Sequence, residues 1–293
     1  MKTKNTLFKL SIILFFIAII TYSCDKIEGP FTELQPRDTT AVVDTTDSVT
    51  YIRKVLVEDY TGHTCGNCPE AAISLDSILS RNKDKVVGMA IHAGFFAEIK
   101  TTGLFTYDFR NADGDAIDAF FSNTSKGSPN GMVNRVDFAT LKHTKLHTEW
   151  SSIVATELAK PAVANIKLKV EYNSSTKNVS IVSTSKFLTD LDGAYKISLF
   201  ITEDSIVKAQ KDYTKPSPSN VANYTHKHVM RKGINGTWGD EIANGTAKKN
   251  VEVVKNYSIV LNDSWNEKKC HVVAFIYNSA TYEVIQAEEA HVE

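Results

Sequence analysis

An α/β domain followed by an all-β antiparallel sandwich is the fold class this sequence predicts. Three observations carry it. From Tyr51 to Lys160, apolar runs of strand length alternate with stripes of helical spacing. After Pro161 the pattern changes to period two, Ile166, Leu168 and Val170 alternating with Lys167 and Lys169. At the first strand-to-helix junction stands Thr64-Cys65-Gly66-Asn67-Cys68-Pro69. A helix N-terminus there offers unpaired N–H groups and a partial positive charge, which stabilise a thiolate.

The elements follow in order. Val55, Val57 and Asp59 share one face of a first strand, and Pro69 suits the first turn of a helix, where its missing N–H costs nothing. Ala71, Leu75, Ile78 and Leu79 form the apolar stripe of that helix. Val86 to Ile91 is nearly all apolar, as a strand covered on both faces should be. Ala93 to Ala112 is irregular and aromatic, and Asp113 to Phe121 is helical. Gly127-Ser128-Pro129-Asn130 is a turn leading into a short strand, Gly131 to Val136. Leu146, Trp150, Ile153, Val154 and Leu158 make a further helical stripe, which Lys160-Pro161 ends. Further strands are expected at Val179–Ser183, Ala194–Thr202, Val251–Leu261, His271–Tyr277 and Thr281–Ala287. Short strands with polar turns make an antiparallel, immunoglobulin-like sandwich. Glu203 to Thr246 is too long for a plain connection, so function or small structure of its own is expected there.

The N-terminal region is of another kind. Met1 to Ser23 has an export signal's basic start (Lys2, Lys4, Lys9) and a short apolar run from Leu10 to Ile20. Cys24 follows, as in bacterial signals that are cut before a cysteine which then takes lipid; an ordinary cleaved signal is the alternative. Residues 24–50 form a polar tether whose Asp-Thr-Thr and Asp-Ser-Val triplets resemble O-glycosylation sites of some bacterial envelope proteins. No later stretch has the roughly twenty apolar residues of a membrane helix, so an anchored protein is expected. Without the three signal lysines the formal net charge falls from −1 to about −4, which argues against nucleic acid as a partner. The mature length favours two domains, 51–160 and 161–293.

An exported protein meets an oxidising compartment, where Cys65 and Cys68 persist as a disulfide. Such a dithiol can attack a partner's disulfide with one sulfur and resolve it with the other. The alternative is a structural disulfide that fixes a turn. His63, Cys65 and Cys68, with His92 as a further candidate, also offer sulfur and imidazole to zinc or copper, but no fourth ligand is evident nearby and no metal or cofactor is assigned. His226-x-His228 is a metal pair if it lies on a strand, and a hydrogen-bonding pair within a polar loop otherwise. Trp238 is read as the plug of a loop, Cys270 as an inert thiol on the apolar face of a strand, and Glu288, Glu289 and Glu293 as a solvated end.

The order strand, C-x-x-C, helix, strand, helix, proline turn, strand resembles thioredoxin. The resemblance implies Cys65 as nucleophile, Cys68 as resolving thiol, Asp59, six positions before Cys65, as proton relay, and Pro129 as the cis-proline platform for a substrate backbone. Thr64 stands where thioredoxins carry Trp, and the later hairpin of that fold has little chain to form it. Over its mature length the chain resembles a family of outer-membrane lipoproteins of roughly 28 kilodaltons from Gram-negative bacteria. The strings that carry this are Asp59-Tyr60-Thr61-Gly62-His63-Thr64-Cys65-Gly66-Asn67-Cys68-Pro69, His228-Val229-Met230-Arg231, Asn235-Gly236-Thr237-Trp238-Gly239 and Val284-Ile285-Gln286-Ala287. That resemblance implies an outer-membrane protein, periplasmic or surface-facing. Two functions are therefore expected as rivals: thiol–disulfide exchange with a protein partner, and a non-enzymatic receptor or adhesin on a thioredoxin-like scaffold.

Overall fold

The computed structural model describes residues 50–293, all within one compact unit. The expected signal segment, Cys24 and the tether as far as residue 49 lie outside the described residues. The first half of the chain supplies β1 (Val55–Thr61), α1 (Cys68–Arg81), β2 (Val86–His92), α2 (Ala112–Phe121), β3 (Asn130–Val133) and α3 (His147–Leu158). Then come β4 (Ala164–Asn173), β5 (Asn178–Phe187), β6 (Leu191–Asp192), β7 (Tyr195–Glu203), β8 (Ile206–Lys211), β9 (Asn220–His226) and β10 (Val229–Gly233). The chain finishes with β11 (Asp240–Ala243), β12 (Thr246–Ala247), β13 (Glu252–Val260), β14 (Cys270–Asn278) and β15 (Val284–His291). None of the described helices is long and apolar enough to cross a membrane.

Every residue of β1 is buried, because both its faces are covered. Val55 and Val57 pack with Ala71, Leu75 and Ile78 of α1 and with Trp150 and Val154 of α3. Leu56 and Tyr60 point the other way, into a core with Met89 and Ile91 of β2 and Ile117 and Phe121 of α2. β1 pairs in parallel with β2 and antiparallel with β3. Helices on both faces of this sheet give the thioredoxin-like half.

The sheet does not stop at β2. β10 pairs with its outer edge through Val229 and Ala90, and the order continues through β7 and β14 to β15, with β11 also paired to β7. A three-stranded antiparallel sheet, β13-β5-β4, stacks on β7 and β14. Ile166, Val179, Ile181 and Val253 meet Ile197, Leu199, Ile201, Val272 and Ala274 there, forming the sandwich core. Phe200, Val273 and Phe275, the alternate residues of the same two strands, join the core under α2. One alternating pattern thus serves two cores.

Some elements differ from expectation. β3 ends at Val133 because Asn134 and Arg135 take φ of +46° and +52° and turn the chain. That turn buries Arg135, whose guanidinium makes a two-pronged ion pair with Glu58 (2.8 and 2.7 Å) and lies over the rings of Phe121 and Phe275. The later hairpin of the thioredoxin-like half is reduced to one bridge, Gly131 with Lys145. Leu146 precedes α3 as its N-cap and is exposed, so it is no part of the buried stripe. Glu203–Thr246 holds β8, β9, β10 and β11. β15 runs to His291, so Glu288 and Glu289 lie within a strand: Glu288 pairs with Lys54, and Glu289 faces His271 at 3.4 Å.

Candidate functional site

Cys65 and Cys68 form a disulfide, with Cα atoms 5.4 Å apart. α1 opens at Cys68, with Asn67 as N-cap and Pro69 in the first turn. Cys65 sits just before it, in a loop held by its own N–H on the Gly62 carbonyl (3.0 Å). Gly62 is needed there, because a Cβ would stand 2.3 Å from the carbonyl carbon of Phe96. Thr64 anchors the loop, its N–H and Oγ1 both donating to the Phe96 carbonyl (3.0 and 2.8 Å).

Both cysteines are only 2% exposed. Their cover is the β8–β9 hairpin, from the distant part of the chain. Lys211 N–H donates to the His63 carbonyl and Tyr213 N–H to the Gly66 carbonyl, each at 2.8 Å. Gln210 Nε2 donates to the carbonyls of Cys65 (2.9 Å) and Gly62 (3.3 Å). The Tyr213 ring lies directly on Gly66, where a Cβ would come within 2.5 Å of it. The C-x-x-C loop is therefore held closed by backbone and side-chain hydrogen bonds from another element.

Beneath this cover is a cavity of about 50 Å³, lined by Cys68, Asp59, His92, His226 and His228 among others. Asp59 Oδ1, both ring nitrogens of His92 and Nε2 of His226 are buried without a hydrogen-bond partner among the described residues. Buried polar atoms are normally paired, so this concentration marks a candidate site. Burial pushes the Asp59 carboxyl up to about 7, opposed by the charge of His228. Burial holds His92 well below the usual histidine range and His226 down at about 4, so both rings are neutral at neutral pH. Phe109 stacks on His92 and lies tilted against His226, with ring centroids 4.4 Å from each.

Pro129 follows a cis peptide bond. It lines a groove of about 640 Å³ together with Asn67, Glu70 and Lys145 to Glu149, alongside the C-x-x-C loop. The residues weighed as an alternative metal set do not converge. The two sulfurs are bonded to each other, and His63 Nε2 faces the Glu98 carbonyl at 3.2 Å. Among the described residues, no group of three or more His, Cys, Asp or Glu is arranged to hold a metal ion. Cys270 is buried in the sandwich core and its thiol is pushed up to about 12, chiefly by burial. Trp238 packs against Phe120 and Tyr282, and its carbonyl accepts the Tyr277 hydroxyl at 2.7 Å, as the plug of a loop should.

The family described as outer membrane protein Omp28 matches residues 115–293, more than half of the chain. The chain belongs to the Omp28 family. No curated protein matches it. Among solved structures, HBP35 of Porphyromonas gingivalis is similar at 16% identity and a TM-score of 0.57, covering 83% of this chain and 76% of that one. At that identity the likeness shows the fold. A domain of the outer membrane lipoprotein Omp28 from Porphyromonas gingivalis aligns at 19% identity, covering 45% of this chain and 89% of its own, with a TM-score of 0.32. A protein from Agrobacterium tumefaciens aligns at 11% identity over 84% of this chain and 97% of its own, with a TM-score of 0.49.

Omp28 membership carries an outer-membrane or cell-envelope location with it. In this Omp28 chain the residues that close the site, Gln210 and Tyr213, were not singled out by sequence reasoning, because Gln210 lies 145 positions from the cysteine loop it binds. The length of Glu203–Thr246 was the one signal that pointed to them. His226-x-His228 was visible as a motif, but its place at the cavity was not.

Proposed function

We propose that this protein is an envelope lipoprotein, anchored through lipid on Cys24, that exchanges thiols and disulfides through Cys65 and Cys68. The observation that carries the reading is the buried Asp59 carboxyl, whose Oδ1 has no hydrogen-bond partner among the described residues, sharing a small cavity with Cys68. A structural disulfide has no use for such a group, which is costly to bury. A resolving thiol does, because it must lose a proton before it can attack.

In this reading the Cys65 thiolate, favoured by the nearby start of α1, attacks a partner's disulfide. A mixed disulfide forms and one partner sulfur leaves with the bonding electrons. Cys68 gives its proton to the Asp59 carboxylate, and the resulting thiolate attacks Cys65 Sγ. The Cys65–Cys68 bond forms, the bond to the partner breaks, and the partner ends as a dithiol while this protein ends oxidised. Pro129 and its groove seat the partner's backbone. The 51–160 segment carries the chemistry, 161–293 supplies the cover and a docking surface, and the β8–β9 hairpin lifts to admit the partner. Cys68→Ser is expected to trap a partner on Cys65; absence of any trapped species in envelope preparations, under both oxidising and reducing conditions, counts against the reading.

The second reading is a receptor or adhesin that uses the fold as a scaffold. Burial of both cysteines, with the Tyr213 ring seated on Gly66 between them, favours it. Under that reading Cys65→Ser leaves ligand binding and phenotype unchanged.

A further inference from the structure

The C-terminal half brings a further histidine, His228, to the same cavity. His228 precedes β10, and its carbonyl accepts the Ala90 N–H at 2.7 Å. Ala90 is the β2 residue paired with Asp59. His228 is thus seated one strand beyond Asp59's neighbour, on the cavity that Asp59 and Cys68 share. Its own N–H donates to Asp204, and its ring faces carboxylates on either side: Nε2 is 3.6 Å from Asp76 of α1, and Nδ1 is 3.4 Å from Asp204. The side chain is 18% exposed.

Resting on the thiol–disulfide reading above, we infer that His228, seated on the cavity that Asp59 shares with Cys68, is a positioning residue for the exchange reaction: its imidazolium holds Asp59 as the carboxylate that takes the Cys68 proton. Other cavity residues are less suited. His92 and His226 are neutral, and Lys227 is engaged with Asp76 at the exposed rim. Burial works against the charged form of His228, but Asp76, Asp204 and Glu289 outweigh it and raise its pKa. The groups facing His228 are Asp76 from α1, Asp204 after β7, Lys227 beside it, Glu289 from β15 and, through the shared Asp204, His271 from β14. Tyr224 also lines the cavity and stays neutral, held up at about 12 by burial.

The test reads Asp59 directly. In the mature chain carrying Cys24→Ser, with the disulfide intact, the infrared carbonyl band of protonated Asp59 is assigned by its loss in Asp59→Asn and followed with pH. His228→Asn suits the backbone, because φ is +54° there and Asn tolerates that region. It is expected to move the Asp59 midpoint up, because it removes the His228 charge that opposes the effect of burial on that carboxyl. His228→Lys, which restores the charge, is expected to bring it back. An unmoved midpoint in His228→Asn overturns the inference. In the unsubstituted chain, the His228 ring signals followed by NMR should show an inflection at the Asp59 midpoint that is lost in Asp59→Asn. A missing inflection overturns the inference even where a variant fails to fold. Neither measurement requires exchange activity, so a coupled pair in a protein that never exchanges would sink the functional reading while leaving the coupling intact. With activity, the pH profile of mixed-disulfide resolution should shift upward in His228→Asn by the same amount as the infrared midpoint.

Discussion

At the scale of single residues, Asp59 is the most informative position. Its folded pKa of about 7 lies above the ordinary 3.8, so the native state holds this proton more tightly than the unfolded chain does. Its contribution to stability is therefore most favourable below about pH 4, declines as pH rises from about 4 to 7, and levels off above that. At about 1.4 kcal/mol per unit, the cost approaches about 4 kcal/mol in alkaline solution. Asp59→Asn should raise stability by a few kcal/mol at pH 8 and change it little at pH 4, as measured by urea unfolding across pH. Equal effects at both pH values would contradict the assignment. Glu289, raised to about 7 by burial, adds a slope in the same window, and His226 and His271, held near 4, add the opposite slope. The comparison with Asp59→Asn isolates one group from these. Asp59 was singled out in the sequence through the resemblance to thioredoxins, which carry a buried acid six positions before the first cysteine. The Glu58–Arg135 pair was not, because it depends on two residues in left-handed conformation after β3, which no spacing rule marks.

At the scale of elements, the β8–β9 hairpin decides access. Gln210 and Tyr213 hold the cysteine loop through hydrogen bonds and one ring contact. A net hydrogen bond contributes about 1 kcal/mol, and each 1.4 kcal/mol is a tenfold change in an equilibrium. Gln210→Ala combined with Tyr213→Ala removes two side-chain hydrogen bonds and the ring contact, while the backbone bonds of Lys211 and Tyr213 stay, and should therefore speed native-state reduction of the disulfide by dithiothreitol by roughly ten- to a hundredfold. An unchanged rate, with unfolding stability preserved, would show that the hairpin does not gate the sulfurs. Long periodic elements such as α1, β2, β7 and β14 were readable because their faces are buried along their whole length. The hairpin was not, since β9 exposes most of its side chains and carries no clean alternation. Its conformation is set by what it lies on.

At the scale of the molecule, the change of pattern at Pro161 marks where the chain turns from helix-and-strand to strand alone. The sheet nevertheless runs through both halves, from β3 to β15. Sequence periodicity reports which side chains are buried and is silent on which edge meets which, so the join of β10 to β2 was not readable. The join matters chemically. It seats His228 beside Ala90, and the neighbouring hairpin covers Cys65, so the site belongs to the whole chain. The decisive measurement is accordingly a redox titration of the whole mature chain carrying Cys24→Ser. Cys65 and Cys68 would be followed by alkylation and mass spectrometry across glutathione buffers. The account predicts a reduction potential above about −230 mV and, once reduced, alkylation of Cys65 in the folded protein below pH 8. A potential below about −300 mV, with thiols inert until the chain unfolds, would contradict it and leave a structural disulfide in a scaffold.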